Sequence, residues 1–588
     1  VNYHLFDITA AITYRYRPLS KVKSKEKSIE VEGIDTEAYS NGRCFMIATS
    51  LGDVYHYKDY PACFFNRQYK NTTFVAYNLS YDEGALLQFL TKDNLRILWD
   101  TGKVIQGSYT IKSIPKKFLR ITKNKKDSIT IYDMLNFYQH SGVNGSSSLD
   151  AVSRQHLGKS KLDIATKTFN KKYVLDNWKT IAKYCVQDAI LVKLLGDKII
   201  HMFEQFGVYP RALYSTAYIT YQYFYKHTDY VTVQRFWNDY RRVLCYAMYS
   251  YNGGKFEVTR KGKGYFYEYD IVSAYPYEIA NLKDITHARV IHQKAIPKDA
   301  DYGFMLCAMN ISYNTYSPIA VKWGSVNIYP VGCYAKVITL NEYKYLIKYK
   351  CKISIIDAFY LCCDTNKYPY REEVLKLFAF KKKYKEEGDY LKTHTVKILL
   401  NSLYGKFVQL IRKGKSIDAS TCWNPIYGSI ITANTRIKVS EMQQQYNSIV
   451  AVHTDSVIST KKLSIAVGKD LGDWAFEREG KGVILGSGIY QIGKVSKVRG
   501  FVTKYALCDL INKKVSKLKI ISKRSISWRE VAFHNWDTDR INRFEDIDRE
   551  IDINFDKKRI WIKDYKTFAE CLIRNVDSTP HVFDKNIH

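Results

Sequence analysis

Three short, widely spaced segments constrain this chain more than its composition does. DIVSAYPYEIA runs from Asp270 to Ala280, KILLNSLYGKF from Lys397 to Phe407 and AVHTDSVIS from Ala451 to Ser459. Asp270 closes the apolar-aromatic run GYFYEYD, which reads as a strand whose last side chain projects from a sheet edge. Asp455 sits in a polar turn between the apolar runs SIVAV and VIS, the pattern of a hairpin. On a helix, Lys397, Asn401 and Tyr404 fall at i, i+4 and i+7 and share one face. Either acid alone reads most simply as a turn residue or a cap. Together, the segments ask for a fold that sets two carboxylates on neighbouring strands beside one basic helix face.

Charge points the same way. Lys and Arg total 90 against 58 Asp and Glu, a net charge of +32 in 588 residues, and such an excess attracts polyanions such as nucleic acid. Fifty tyrosines add stacking surface for bases. The length predicts three to five domains or subdomains. The twelve cysteines form no CxxC pair and no disulfide framework, so zinc is not expected and a reducing, intracellular setting is. No apolar run reaches the roughly 18 residues of a membrane span, and the amino-terminal stretch lacks a secretory pattern. LGKS at 157–160 and KGKS at 413–416 lack the upstream glycine of a P-loop, having Ser153 and Gln409 there.

Phosphoryl transfer from a nucleoside triphosphate needs positioning and charge neutralisation. Two magnesium ions about 3.5–4 Å apart, held by hard carboxylates such as Asp270 and Asp455, supply both. Lys397 would then meet the triphosphate and Tyr404 the nascent base pair. Lys383, on the helix-like REEVLKLFAFKKKYKEEG, would add phosphate-facing charge, and Gly405 would let a duplex backbone approach. A second acidic set precedes this one. Asp35 and Glu37 lie at i, i+2 near a strand end, Asn78 and Asp82 at a strand-to-helix passage, and Tyr184 and Asp188 at i, i+4 on a helix. Four carboxylates and a water-orienting tyrosine hydroxyl suffice for two-metal hydrolysis of a phosphodiester.

DIVSAYP, KILLNSLYGKF and HTDS resemble the A, B and C motifs of family B DNA polymerases, most closely those of the protein-primed branch found in phages, viruses and linear plasmids. The earlier acidic set resembles the three exonuclease motifs of that family. The resemblance implies an α/β multidomain chain, with an RNase H-like 3′–5′ exonuclease domain followed by a right-hand palm, fingers and thumb. It divides the chain into an amino-terminal segment (1–27), exonuclease (28–200), connecting segment (201–260), palm (261–287 and 413–515), an insertion where that branch meets its terminal protein (288–365), fingers (366–412) and a thumb-like end (516–588). It makes Asp270, Asp455, Asp35, Glu37, Asp82 and Asp188 metal ligands for Mg2+, with Mn2+ a substitute. Tyr275 would lie under the incoming sugar and Ser273 beside the triphosphate. Tyr251, Gly253 and Gly254, in the YNGG turn, would contact template, Asn78 would hold single-stranded DNA, and Lys161 would assist the exonuclease. The implied partners are template and primer DNA, deoxynucleoside triphosphates and a terminal protein, met by a monomer. Rival readings are priming by nucleic acid or without a primer, and a nuclease or DNA-binding relative with weakened polymerisation.

Three positions depart from the family pattern. His453 stands where the third motif carries a second Asp. Gly488 replaces the lysine of a Lys-x-Tyr segment whose Tyr490 remains, leaving Lys497 or Arg499 to supply charge near the primer terminus. Only about 18 residues separate Phe407 from Pro425, where the protein-primed branch holds a longer hairpin linked to strand displacement and processivity.

Overall fold

The computed structural model describes residues 27–65, 68–164, 169–364, 366–413, 416–499, 507–511 and 513–583. Of the basic run Lys21 to Lys27, all but Lys27 lies outside the described residues. Among those described, no helix is long and apolar enough to cross a membrane.

The first unit is built on an eight-stranded mixed sheet. Its centre is the strand Glu32–Ala38, antiparallel to Cys44–Thr49 and parallel to Thr73–Ala76, which is in turn parallel to Asp127–Asp133. Ile34, Thr36 and Ala38 are buried while Asp35 and Glu37 remain half-buried, so the period of two sends both acids to one face. The long helix Trp178–Gln205 packs on this strand. Gly33 makes that contact possible, because a Cβ there would sit 1.8 Å from the Ala189 carbonyl oxygen. The close approach brings the helix face carrying Tyr184, Cys185 and Asp188 over the acidic strand.

Three helices, Thr216–His227, Gln234–Asp239 and Arg241–Ser250, lead through Tyr251–Gly254 into a second, nine-stranded sheet. The strand Arg260–Ile271 pairs antiparallel with Trp474–Gly486 on one side and Ser456–Ser459 on the other. The segment 288–365 folds as a separate antiparallel sheet with the helix Leu340–Lys348, whose amino terminus carries a capping box between Thr339 and Glu342. The fifth strand of that sheet, Val582–Phe583, comes from the carboxyl-terminal end of the chain.

A helical hairpin stands over the second sheet. Arg371–Glu386 runs out, Gly388 turns at φ +70°, and Tyr390–Asn401 returns, capped by Asp389. Sequence periodicity predicts one helix as far as Phe407. Instead the chain breaks at Ser402 and continues as the short helix Leu403–Phe407, so Tyr404 lies on a different element from Lys397 and Asn401. Between Phe407 and Pro425 there is only the small hairpin Leu410–Lys413/Ser416–Ala419.

The carboxyl-terminal region forms a two-stranded ribbon, Lys517–Ser525 against Phe544–Asp552. At its far end the helix Trp528–His534 docks on the first unit. Trp528, Val531, Ala532 and Ile541 share a core with Leu86, Leu95 and Leu98. Arg96 donates to the carbonyls of Ala532 (3.2 Å) and Phe533 (3.0 Å), and Asn542 donates to that of Tyr81 (2.8 Å). The ribbon therefore links the two units at their far sides.

Candidate active sites

In the first site, the sheet and two helices converge four carboxylates. Asp35 and Glu37 come from the central strand, Asp82 from the first turn of the helix Leu79–Leu87, and Asp188 from the long helix. Asp82 is almost fully buried and accepts from Thr36 Oγ1 at 2.7 Å. Burial, followed by repulsion from its neighbours, drives the acids toward protonation. Asp35 is raised well above the carboxylate range by burial and then by Asp82, Glu37 and Asp188. Burial and Asp188 push Glu37 up to about 8, and burial lifts Asp82 to about 7. One cation sits among them: Lys161 pairs with Asp188 Oδ2, its ammonium 4.9 Å from the centre of the Tyr184 ring. Asn78 caps the helix from a left-handed conformation (φ 60°), its backbone N–H bonded to Asp133 and its side chain exposed beside the acids.

The second site lies at the edge of the nine-stranded sheet. Asp270 is in register with Ser456, and the Ile271 N–H donates to the Asp455 carbonyl at 2.9 Å, so the two acids are locked side by side. Thr454, at φ 66°, turns the hairpin so that Asp455 faces Asp270. Burial and the Asp455 charge raise Asp270 to about 7, and burial raises Asp455. Both line an open cavity of about 460 Å³ with Glu268, Glu477, Tyr490 and Arg499. Beyond it, Ser273 (φ 52°) starts the helix Ala274–Ala280 and accepts from Lys381 Nζ at 3.0 Å. Burial, then repulsion from Lys397, lowers the Lys381 ammonium below its usual range. Lys381 thus faces Ser273 and Asp270 with Lys397 close enough to repel it, whereas Lys383 is exposed, 3.9 Å from Glu387. Helix spacing marks the difference: Val374, Leu377 and Phe378 are buried, and Lys381 continues their face while Lys383 leaves it.

Three tyrosines meet next to these lysines. Tyr404 packs on Tyr275 with ring centres 4.6 Å apart, and its hydroxyl lies 2.6 Å from that of Tyr251. Asn401 is exposed on the same side as Lys397, and a side chain at Gly405 would meet open space. The turn before the sheet is pinned from behind. Arg436, fully buried, donates to the carbonyls of Asn252 (2.6 Å), Gly253 (2.9 Å) and Pro318 (3.0 Å) and pairs with Glu342 at 2.7 Å. Gly254 lies so close to Thr454 that a Cβ would come within 2.6 Å of its methyl group.

His453 lines the cavity with the acids but makes no hydrogen bond to either. Its ring stacks on Tyr490 (4.7 Å, 16° between planes) and packs against Phe256 (4.6 Å), and both its nitrogens are buried without a hydrogen-bond partner. Burial, then Lys558 and Lys497, lowers its pKa to about 3, so the ring is neutral. Tyr490 donates to Glu268 at 3.0 Å, and Arg478 pairs with the same carboxylate at 2.9 Å. Lys497 and Arg499 line the open side, and the Arg499 guanidinium lies 5.4 Å from the centre of the Phe256 ring. Glu477 reaches the cavity because it is the extra residue of a bulge between Phe476 and Arg478, which pair with Tyr269 and Glu268.

In each site one carboxylate oxygen, Asp188 Oδ1 and Asp270 Oδ1, is buried with no hydrogen-bond partner. Clustered, partly protonated acids with orphaned oxygens match the donor set of divalent cations. The residues present therefore fit such ions in both places.

Comparison with known proteins gives the same frame. The solved structure of Phi29 DNA polymerase, in its orthorhombic crystal form, superposes with a TM-score of 0.63 at 15% identity, covering 90% of this chain and 100% of that one. The Phi29 ternary complex with primer-template DNA and incoming nucleotides gives 0.61 at 15% identity, again with 90% and 100% coverage. At this identity the likeness establishes the fold, an α/β multidomain polymerase architecture. The DNA polymerase catalytic subunit of human herpesvirus 7 (strain JI) is 33% identical over 109 residues, a stretch that makes up 18% of this chain and 10% of that protein. The sequence profile of DNA polymerase type B, organellar and viral, matches residues 63–467, a span that holds Asp82, Asp188, Asp270, Lys381, Lys397 and Asp455 but neither Asp35 and Glu37 nor the strands beyond residue 467. By that match over well beyond half its length, the chain belongs to the type B DNA polymerases of organellar and viral kind.

Proposed function

We propose that this chain is a DNA-directed DNA polymerase with a 3′–5′ proofreading exonuclease. The observation that carries the polymerase reading is the Asp270–Asp455 pair, locked by the Ile271–Asp455 backbone bond and faced by Lys381 and Lys397. In this reading residues 28–200 are the exonuclease, 201–260 a connection with the YNGG turn, 261–287 with 413–515 the palm, 366–412 the fingers and 516–588 the thumb.

In the polymerising site, Asp270 and Asp455 would hold divalent metal, Mg2+ by preference, which when bound would supply neutralising charge and lower the pKa of the primer hydroxyl. Lys381 and Lys397 receive the triphosphate, and Lys381 also fixes the Ser273 hydroxyl beside it. Tyr275 and Tyr404 form a floor against which the sugar and base of the incoming nucleotide rest. Tyr490, Lys497 and Arg499 meet the primer strand across the cavity. In the editing site, Asp35, Glu37, Asp82 and Asp188 would hold the ions, and Tyr184 orients the attacking water while Lys161 pairs with Asp188 and offsets part of the burial that raises its pKa. Asn78 holds the frayed single strand.

The insertion 288–365 supports protein priming by position, since its helix Leu340–Lys348 reaches the YNGG turn through Glu342 and Arg436. A terminal protein docked there would present a Ser, Thr or Tyr hydroxyl in place of a primer end.

The test is extension of a primed template with Mg2+ and four deoxynucleotides, alongside degradation of single-stranded DNA. Asp455→Ala should lower extension ~10³-fold and spare degradation, and Asp35→Ala should do the reverse. Loss of both activities in either properly folded variant would sink the two-site reading. Extension from oligonucleotides but never from a protein hydroxyl would remove protein priming alone.

A further inference from the structure

We propose that Cys185 makes the editing site a binding site for a thiophilic divalent cation such as Zn2+ or Cd2+, with Asp35 and Glu37 as the other ligands, and that this cation shuts the site down. The inference rests on the exonuclease reading above for its consequence, but not for the site itself.

The geometry is already close to a coordination polyhedron. Cys185 Sγ lies 3.4 Å from Asp35 Oδ2, and the ligand atoms of Asp35, Glu37 and Cys185 all fall within 4.8 Å of one another. A tetrahedral zinc with Zn–S about 2.3 Å and Zn–O about 2.1 Å places sulfur and oxygen about 3.6 Å apart. The observed edge therefore needs only a small adjustment. Asp188, three residues on and on the same helix face, lies outside that group of three; it is 2% exposed, pairs with Lys161 through Oδ2 and leaves its buried Oδ1 without a hydrogen-bond partner. Among the described residues no other His, Cys, Asp and Glu side chains form such a group.

Hard and soft ions would use this cluster differently. Mg2+ takes oxygen ligands and leaves the thiol as a donor to Asp35. Zn2+ or Cd2+ gains from sulfur. On binding, the Cys185 S–H bond breaks, a sulfur–metal bond forms and the proton leaves to solvent. An ion held through sulfur would compete for Asp35 and Glu37 with the ions that hydrolysis needs.

The experiment uses the full chain. Cd2+ or Co2+ is titrated while the ultraviolet thiolate-to-metal charge-transfer band is followed, in the wild type and in Cys185→Ser. The band specific to this site should appear in the wild type and be missing from Cys185→Ser and from Asp35→Asn. In parallel, Zn2+ is titrated into single-strand degradation run in Mg2+, with primer extension in the same samples as the check that each variant is folded. The zinc concentration that halves degradation should rise at least ~10-fold in Cys185→Ser. Identical spectra in wild type and Cys185→Ser, or equal zinc sensitivity, would overturn the proposal. If the wild type degrades no single strand in Mg2+, the exonuclease reading fails, while the spectra still decide whether Cys185 binds the ion.

Discussion

In the first carboxylate site the counter-charge is one lysine built into the unit, whereas in the second, beside Arg478, Lys497 and Arg499 at the cavity, two lysines arrive on a separate helical hairpin. Lys161 touches Asp188 within one unit, and the four acids and their lysine all precede residue 190. Asp270 and Asp455 share their cavity with Arg478, which is paired with Glu268. Lys381 and Lys397 reach them from a hairpin whose turn, Gly388, lies more than a hundred residues from Asp270. On the proposed exonuclease reading, the first arrangement suits a strand that must be held and cut. The second lets the cations depend on how the hairpin sits, so that triphosphate and hairpin position are coupled.

The sharpest way to break this contrast is to loosen what ties the second site together while leaving the first alone. Arg436→Met removes one partner of a buried ion pair and three carbonyl contacts, so stability should fall by ~3–5 kcal/mol. Denaturant unfolding measures it, and a loss below about 1 kcal/mol would show that the tie is not structural. Next, Lys381→Ala should cut kcat/KM for nucleotide by about 10²-fold and leave single-strand degradation intact. Lys383→Ala should alter neither, and steady-state kinetics on the pair would reverse the assignment if Lys383 proved the costlier loss.

Protonation sharpens the comparison differently. Folded-state pKa values of about 8 for Glu37 and about 7 for Asp82 and Asp270 lie above those of unfolded carboxylates. Their contribution to stability is then fully present below the unfolded values and is lost as pH rises through the folded ones. Without divalent metal, Tm should fall between about pH 5 and 8, and added Mg2+ should raise Tm more at the alkaline end. Glu37→Gln should flatten that slope more than Asp270→Asn does, and scanning calorimetry with and without chelator distinguishes them. The smallest effect concerns His453. A Phe there keeps the stack on Tyr490 and Phe256 and deletes two unpartnered nitrogens, so extension should hold within about an order of magnitude. Asp there breaks the stack and adds a charge near Glu268, so extension should drop ~10-fold. A gain from His453→Asp in single-turnover extension would show instead that the ring costs activity.

What could be read from the chain followed the range of the interaction. Asp35 with Glu37, Tyr184 with Asp188, and the strand end at Asp270 are pairs within one element, where the period alone sets the face. The hairpin turn at Gly388 and the β-rich insertion were legible for the same reason. Lys381 was readable but was passed over for Lys383, because a lysine run hides which member continues the apolar face. Others lay beyond local pattern. Glu477 enters the cavity through a bulge fixed by strand register, and Cys185 meets Asp35 only because Gly33 admits the helix. The break at Ser402 parts Tyr404 from its predicted helix and sets it on Tyr275 and Tyr251, tertiary partners that no spacing announces.

The ribbon Lys517–Ser525/Phe544–Asp552 carries a further consequence. It leaves the second sheet, and its tip, Trp528 to Ile541, is sealed into the core of the first unit. Chain and packing together make a closed circuit. The two units can part only when the tip comes free. Freeing the tip means exposing Trp528, Val531 and Ile541 to water, several kcal/mol or more at about 1.5–3 kcal/mol for each large apolar side chain. Separation of the two units would then be a waiting time, set by the opening of a latch.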